Sequence, residues 1–260
     1  MGYRYENRRR VEDWCDSVLN GSIVVSHWIR LAVRRYRRDI GKHRFRQDIA
    51  NEACEFFPRY LRHTKGQFAG QPFELTDLQR FIVWNLFGFR DRHVERRRYQ
   101  RVMMTVSRKF GKTTLAAGIV LYLLYMDGEP ESECYVAAVT EQQASICHTQ
   151  GVRFVQNNEE LSQFAEVYKA GPRFRALVLD KGPYKGNIFR CVASDSSNLD
   201  GLNPACFVVD ELHAWSVNKH SGLRERLQTG GGARLQPVEF IISTNGDEDS
   251  TFYHLSLIHI

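Results

Sequence analysis

From residue 102 onward, apolar residues gather in short, nearly continuous runs separated by polar loops. Runs at 102–106, 134–139, 189–193, 207–209 and 240–242 predict strands. The stretch 113–126 predicts an apolar helix, and another helix is expected from Glu141. Continuous apolar strands alternating with helices imply an α/β fold with a mainly parallel sheet covered on both faces. Ligands in such folds bind at the carboxyl ends of the strands. Before residue 66 the period is helical. Val24, Trp28 and Leu31 recur at helical spacing over 23–38, with Arg30, Arg34, Arg35, Arg37 and Arg38 crowding the end, which predicts a basic amphipathic helix. A second helix is expected over 47–63, with Ile49, Ala53, Phe56 and Tyr60 on one stripe and Pro58 kinking or dividing it. The turn-rich stretch 65–72 marks the expected boundary between a basic helical segment, 1–65, and an α/β domain, 66–260.

Charge sharpens this division. Residues 1–101 hold 22 Lys and Arg against 12 Asp and Glu, a net of +10, whereas residues 102–260 hold 14 against 18, a net of −4. A basic segment attracts phosphate backbones through counterion release, but it equally describes a solvated helix face. The six cysteines, Cys15, Cys54, Cys134, Cys147, Cys191 and Cys206, show no CxxC pair or regular spacing. Reduced, mostly buried thiols are expected, rather than a zinc site or a disulfide framework. There is no uncharged apolar run of about 18 residues and no signal-peptide core behind the arginine-rich N-terminus, so the reading is a soluble, cytosolic chain without a membrane partner.

The chemistry enters directly after the first strand. Ser107-Arg108-Lys109-Phe110-Gly111-Lys112-Thr113-Thr114 opens into the apolar helix, which is the setting of a Walker A phosphate loop. In such a loop, backbone amides and the helix N-terminus cradle phosphates, Lys112 reaches the β and γ phosphates, and the Thr113 hydroxyl ligates magnesium. The motif GxxxxGK[ST] requires glycine where Val106 stands, so the first position departs from it.

About a hundred residues later the apolar run 206–209 ends in Asp210-Glu211. A buried strand that presents an aspartate to the Mg²⁺ shell, followed by a glutamate facing the γ-phosphate, is a Walker B arrangement. Asp210 is the expected metal-shell residue and Glu211 the general base that orients and polarises water. The run 240–242 leads into Ser243-Thr244-Asn245-Gly246, whose hydroxyl and amide groups are suited to sensing the γ-phosphate or the catalytic water. The implied ligands are ATP and Mg²⁺.

At these residues the chain resembles the large terminase subunit of tailed double-stranded DNA bacteriophages. Arg108, Lys109, Gly111, Lys112 and Thr113 match the family's Walker A variant, in which the first glycine is lost and basic residues precede Gly-Lys. Asp200-Gly201-Leu202-Asn203-Pro204, running into Asp210-Glu211-Leu212-His213-Ala214-Trp215, resembles its Walker B neighbourhood. Ser243 to Gly246 resembles its coupling motif. Gly70-Gln71-Pro72-Phe73-Glu74-Leu75, with Gln79 and Phe81, resembles the segment whose glutamine recognises adenine.

The resemblance spans about residues 23–250. It implies a P-loop ATPase motor that drives double-stranded DNA into a procapsid, with Arg108 as an arginine finger beside the catalytic Lys112 and Glu211. It also implies a homo-oligomeric ring on the portal protein, a small terminase subunit as partner, and a place in the cytoplasm of the infected bacterial host. The family continues into a nuclease domain. Fourteen residues follow Gly246, so the chain reads as ending before that domain, with the apolar stretch 255–260 as the end of a truncated reading frame. Two other classes fit some of the residues. A helicase-like P-loop ATPase shares Gln79 and the Asp-Glu pair, and a non-catalytic nucleic-acid-binding remnant would keep the basic segment without turnover.

Overall fold

The computed structural model describes residues 3–170, 173–193, 201–246 and 250. Asp200 and the stretch 255–260 lie outside the described residues. The chain forms two compact units, Met1–Arg59 with Pro72–Gln100, and Tyr60–Gln71 with Arg101–Ile260. The stretch 72–100, which the sequence reading assigned to the α/β domain, therefore packs with the N-terminal helices.

The first unit is built from α1 (Tyr3–Leu19), α2 (His27–Asp39), α3 (Gln47–Tyr60) and α4 (Asp77–Gly88). Its core is aromatic. Trp14 lies 5.1 Å from Phe81, Tyr36 lies 5.7 Å from the same ring, and Phe45 lies 5.3 Å from Trp84, centroid to centroid. The Trp84 indole donates to the Tyr36 hydroxyl at 3.3 Å, which in turn donates to Glu12 at 2.7 Å, so the polar ends of these buried rings are satisfied. Gly88 has to be glycine, because a Cβ there would sit 2.3 Å from the Phe45 ring.

Two expectations for this unit need correction. α2 begins at His27, after the Ser26 cap, and buries Val33, Tyr36 and Asp39. Val24, Trp28 and Leu31 are 93%, 52% and 39% exposed, so the apolar stripe seen in the sequence faces outward. The inward face is set by Tyr36, which anchors the helix to Phe81 and Trp84. α3 is continuous through Pro58 and stops two residues later, at Tyr60. In a last turn, proline removes only the hydrogen bond to the carbonyl of Cys54, so it ends the helix without dividing it.

The second unit holds a seven-stranded sheet. In chain order its elements are β1 (Arg101–Thr105), α5 (Lys112–Tyr125), β2 (Glu133–Ala138), α6 (Glu141–Gln156), α7 (Glu159–Ser162), β3 (Ala165–Ala170), β4 (Arg173–Leu179), β5 (Ile188–Ala193), β6 (Pro204–Asp210), α8 (Val217–Gly230) and β7 (Val238–Ser243). The spatial order is β1-β7-β6-β2-β5-β4-β3. The first five are mutually parallel, while β4 and β3 continue the sheet as antiparallel strands.

α5 is buried from Leu115 to Tyr125 and packs against α6, β6 and β7. The opposite face carries a cluster of Tyr135, Phe207, Val209 and Ile241 beneath Trp215, Leu223 and Leu227. All seven residues of β6 are buried, as a central parallel strand covered on both faces requires. The six cysteines are free thiols, five buried and Cys191 half-buried. No helix among the described residues is long and apolar enough to cross a membrane.

Candidate nucleotide site

The register of the parallel strands brings the three sequence motifs together. Thr105 of β1 pairs with Ser243 of β7, and Ile242 of β7 pairs with Asp210 of β6. The phosphate loop, the acidic pair and the hydroxyl-bearing segment therefore leave the same carboxyl edge of three adjacent strands, with β7 in the middle. The Val106 amide donates to the Ser243 carbonyl at 3.2 Å, extending this pairing one residue into the loop.

The loop turns through left-handed backbone at Lys109 (φ 66°) and Gly111 (φ 83°) before α5 starts at Lys112. Glycine adopts this conformation freely, whereas Lys109 bears a steric cost. Ser107, Arg108, Lys109 and Phe110 are exposed, Thr113 and Thr114 are half-buried, and Lys112 is buried. Among the described residues no carboxylate pairs with Arg108. The Lys112 ammonium lies 2.9 Å from Glu211 Oε1.

Asp210 is 5% exposed. Burial, reinforced by the neighbouring Glu211 charge and opposed by Lys112, raises its carboxyl to about 7. Its Oδ1 is buried with no hydrogen-bond partner among the described residues, and its backbone carbonyl accepts from the Trp215 indole at 3.0 Å. An unpartnered carboxylate oxygen beside a phosphate loop suits a hard, oxygen-seeking cation. Glu211 stands in left-handed backbone, φ 50° and ψ 53°. For a non-glycine residue this costs on the order of 1–3 kcal/mol and persists only where the surroundings impose it.

Those surroundings include a residue that the sequence reading did not place in the site. His213 Nδ1 lies 3.2 Å from Glu211 Oε2, 3.1 Å from Ser243 Oγ and 3.3 Å from Thr244 Oγ1. The His213 amide donates to Ser243 Oγ at 3.1 Å, and the Thr244 amide donates to Glu211 Oε2 at 3.3 Å. Ser243 is fully buried, Thr244 half-buried and Asn245 exposed. Glu211 and the end of β7 are thus stitched together through one imidazole.

Gln79 belongs to the first unit, where it is 3% exposed at the start of α4. Its side-chain Oε1 accepts from the Thr76 backbone amide at 3.0 Å, while its backbone N–H donates to the Thr76 hydroxyl at 3.4 Å. This reciprocal capping box satisfies two helix-terminal donors.

A β1–loop–α5 phosphate cradle, an acidic pair closing β6 and, between them, a buried strand with a hydroxyl-bearing end define a P-loop nucleoside triphosphatase. Residues 77–256 match the family described as the terminase large subunit, ATPase domain, and the chain belongs to that family. It is similar to the terminase large subunit of Enterobacteria phage HK97, at 21% identity over 196 residues, covering 75% of this chain and 36% of that protein. It is also similar to the terminase large subunit of Lactococcus phage SK1, at 25% identity over 210 residues, covering 76% of this chain and 38% of that one. The crystal structure of the HK97 bacteriophage large terminase superposes with a TM-score of 0.66 at 20% identity, over 81% of this chain and 40% of that one, a likeness of fold. The chain spans little more than a third of the length of these curated relatives.

Proposed function

We propose that this chain is the ATP-hydrolysing motor part of a phage large terminase, coupling ATP turnover to translocation of double-stranded DNA into a procapsid. The single observation that carries the reading is the meeting of Lys112, Asp210, Glu211 and Ser243 at the carboxyl edge of β1, β7 and β6. In this reading the ATPase module is residues 66–260, behind a basic helical segment. The partners are double-stranded DNA, the portal protein, the small terminase subunit and further copies of the chain in a ring on the portal, all in the cytoplasm of the infected host.

The division of labour follows from the contacts. Lys112 is paired with Glu211. Phosphates in the loop formed by Ser107, Arg108, Lys109, Phe110, Gly111, Thr113 and Thr114 compete for the Lys112 ammonium and release Glu211 to accept a proton from water. Thr113 and Asp210 would hold Mg²⁺, consistent with the unpartnered Asp210 Oδ1, and the ion would neutralise charge on the β and γ phosphate oxygens. Ser243, Thr244 and Asn245 sense the state of the site, because β7 touches both motif strands. The reading is tested by phosphate release with and without duplex DNA, in parallel with strand displacement on a forked substrate. Turnover without strand displacement is expected. Efficient displacement would favour a helicase, and absence of turnover a non-catalytic remnant.

Three substitutions refine the roles. Arg108→Lys keeps charge but removes the planar guanidinium, and as an arginine finger it should lose a large share of turnover with little change in ATP affinity. Unchanged turnover in an assembly on the portal would place the finger elsewhere. Gln79→Ala should raise the KM for ATP more than it lowers kcat and should narrow discrimination against GTP, if the side chain leaves its cap to read adenine. A loss of thermal stability with unaltered ATP and GTP kinetics would assign Gln79 to capping alone, worth about 1 kcal/mol. His213→Ala should lower kcat about tenfold with nucleotide affinity retained, as expected for one lost positioning hydrogen bond. His213→Asn, whose amide nitrogen can stand near Nδ1, should restore most of it, and failure of that rescue would remove the positioning role.

A further inference from the structure

The outward face of α2 has no function in the site described above. Arg30, Arg34 and Arg38 recur at four-residue spacing along it, about 6 Å apart along the axis. The only acidic residue of this helix, Asp39, is buried. Trp28 and Leu31 are exposed on the same helix. The row continues past the helix end. Arg92 donates to the Lys42 carbonyl at 3.0 Å and to His43 Nδ1 at 3.3 Å. Arg98 lies 2.6 Å from both His43 ring nitrogens and pairs with Asp39 at 3.1 Å, beside Arg38 at 2.8 Å. Desolvation together with the Arg98 and Arg92 guanidinium groups holds the His43 imidazole below its ordinary value.

Of the six cations Arg30, Arg34, Arg38, Lys42, Arg92 and Arg98, only Arg38 and Arg98 are paired with the buried Asp39 carboxylate. The Arg92 and Arg98 guanidinium groups both reach the His43 imidazole, which concentrates positive charge at the end of the row. Such an arrangement is unfavourable in isolation and is relieved by a polyanion. Cations spread at regular intervals along a helix match a linear polymer better than a small anion. A duplex strand offers a phosphate every 3.4 Å of its axis, so the arginine spacing approximates two phosphate steps.

We propose that this surface, led by Arg30, Arg34 and Lys42, grips the phosphodiester backbone of duplex DNA without reading its sequence. The inference rests on the motor reading, in which DNA is the moving substrate. Backbone contacts of this kind position a duplex while leaving it free to slide.

Arg30, Arg34 and Lys42 are the residues to vary, because no side-chain ion pair is seen for them among the described residues. The triple substitution R30Q/R34Q/K42Q is compared with wild type for binding to a random-sequence duplex between about 50 and 200 mM salt, the range over which phosphate contacts dominate. The slope of log affinity against log salt should become shallower by about 2 to 3, since each lost phosphate contact removes about 0.9. Affinity at the lower salt should fall at least about tenfold. R30K/R34K, which preserves charge, should keep the wild-type slope, so a structural defect is separable from a charge effect. An unchanged slope and affinity in the triple variant would overturn the proposal. DNA-independent phosphate release should equal wild type in the triple variant. If the wild-type chain released no phosphate yet bound duplex through this row, the motor reading would fail while the surface assignment stood.

Discussion

Replacing Lys112 by alanine is expected to reduce ATP turnover by on the order of a thousandfold, about 4 kcal/mol of transition-state stabilisation. The ammonium is buried at the start of α5 and, among the described residues, is the one lysine or arginine group within ion-pair distance of Glu211. Its loss leaves the transferring phosphoryl group without its nearest fixed positive charge. A second consequence is local. Lys112 opposes the rise of the Asp210 carboxyl, so without it two neighbouring carboxyl groups face each other with less compensation and Asp210 holds its proton more strongly. The variant should therefore also bind Mg-nucleotide weakly near neutral pH. Steady-state phosphate release within a few-fold of wild type would remove the Walker A assignment.

The second large effect is expected at Glu211. Glu211→Gln keeps the shape of the side chain and a hydrogen-bond acceptor for the Thr244 amide, but it cannot take a proton from water. Turnover should fall by about two to three orders of magnitude, in the range of a lost general base or a strong electrostatic contact. Nucleotide affinity should be retained or tightened, because a glutamine at this position no longer forms the ion pair that Glu211 makes with Lys112. Asp210→Asn is expected to act differently. It should weaken Mg²⁺-dependent nucleotide binding, since it removes the charge of the buried carboxylate whose Oδ1 has no hydrogen-bond partner among the described residues. If the two variants behaved alike, with Mg²⁺ titrations unchanged in both, the separation of metal shell and base would be wrong.

How much of this was legible in the sequence depends on how local each signal is. The phosphate loop is a strand, a loop and a helix in direct succession, so β1 and α5 appear within one residue of their expected limits. β6 is an unbroken apolar run ending in two acids, and it was equally plain. The role of His213 was not, because it depends on β7 inserting between β1 and β6, a crossover that no local pattern encodes. α4 is not evident from periodicity although Thr76 and Gln79 carry a capping-box spacing, because its apolar residues run almost around the helix and show little amphipathic contrast. α1 buries Val11, Trp14, Cys15 and Val18 at regular helical spacing, but the dense charges between them masked the stripe. The α2 face departs from its sequence pattern for the opposite reason. Val24, Trp28 and Leu31 form a convincing stripe, yet tertiary packing through Tyr36 decided which side turned inward. β3 and β4 are alternating, partly polar strands joined antiparallel, and they lack the continuous apolar signature of the buried strands.

The most direct test of the central claim is single-turnover ATP hydrolysis set beside equilibrium nucleotide binding, for wild type and Glu211→Gln. The account predicts that wild type cleaves bound ATP to ADP and phosphate, while the variant binds ATP at least as tightly and leaves it intact over the same period. Equal cleavage by both proteins would contradict it, showing that the chemistry at the carboxyl edge of β6 does not depend on the carboxylate assigned to it.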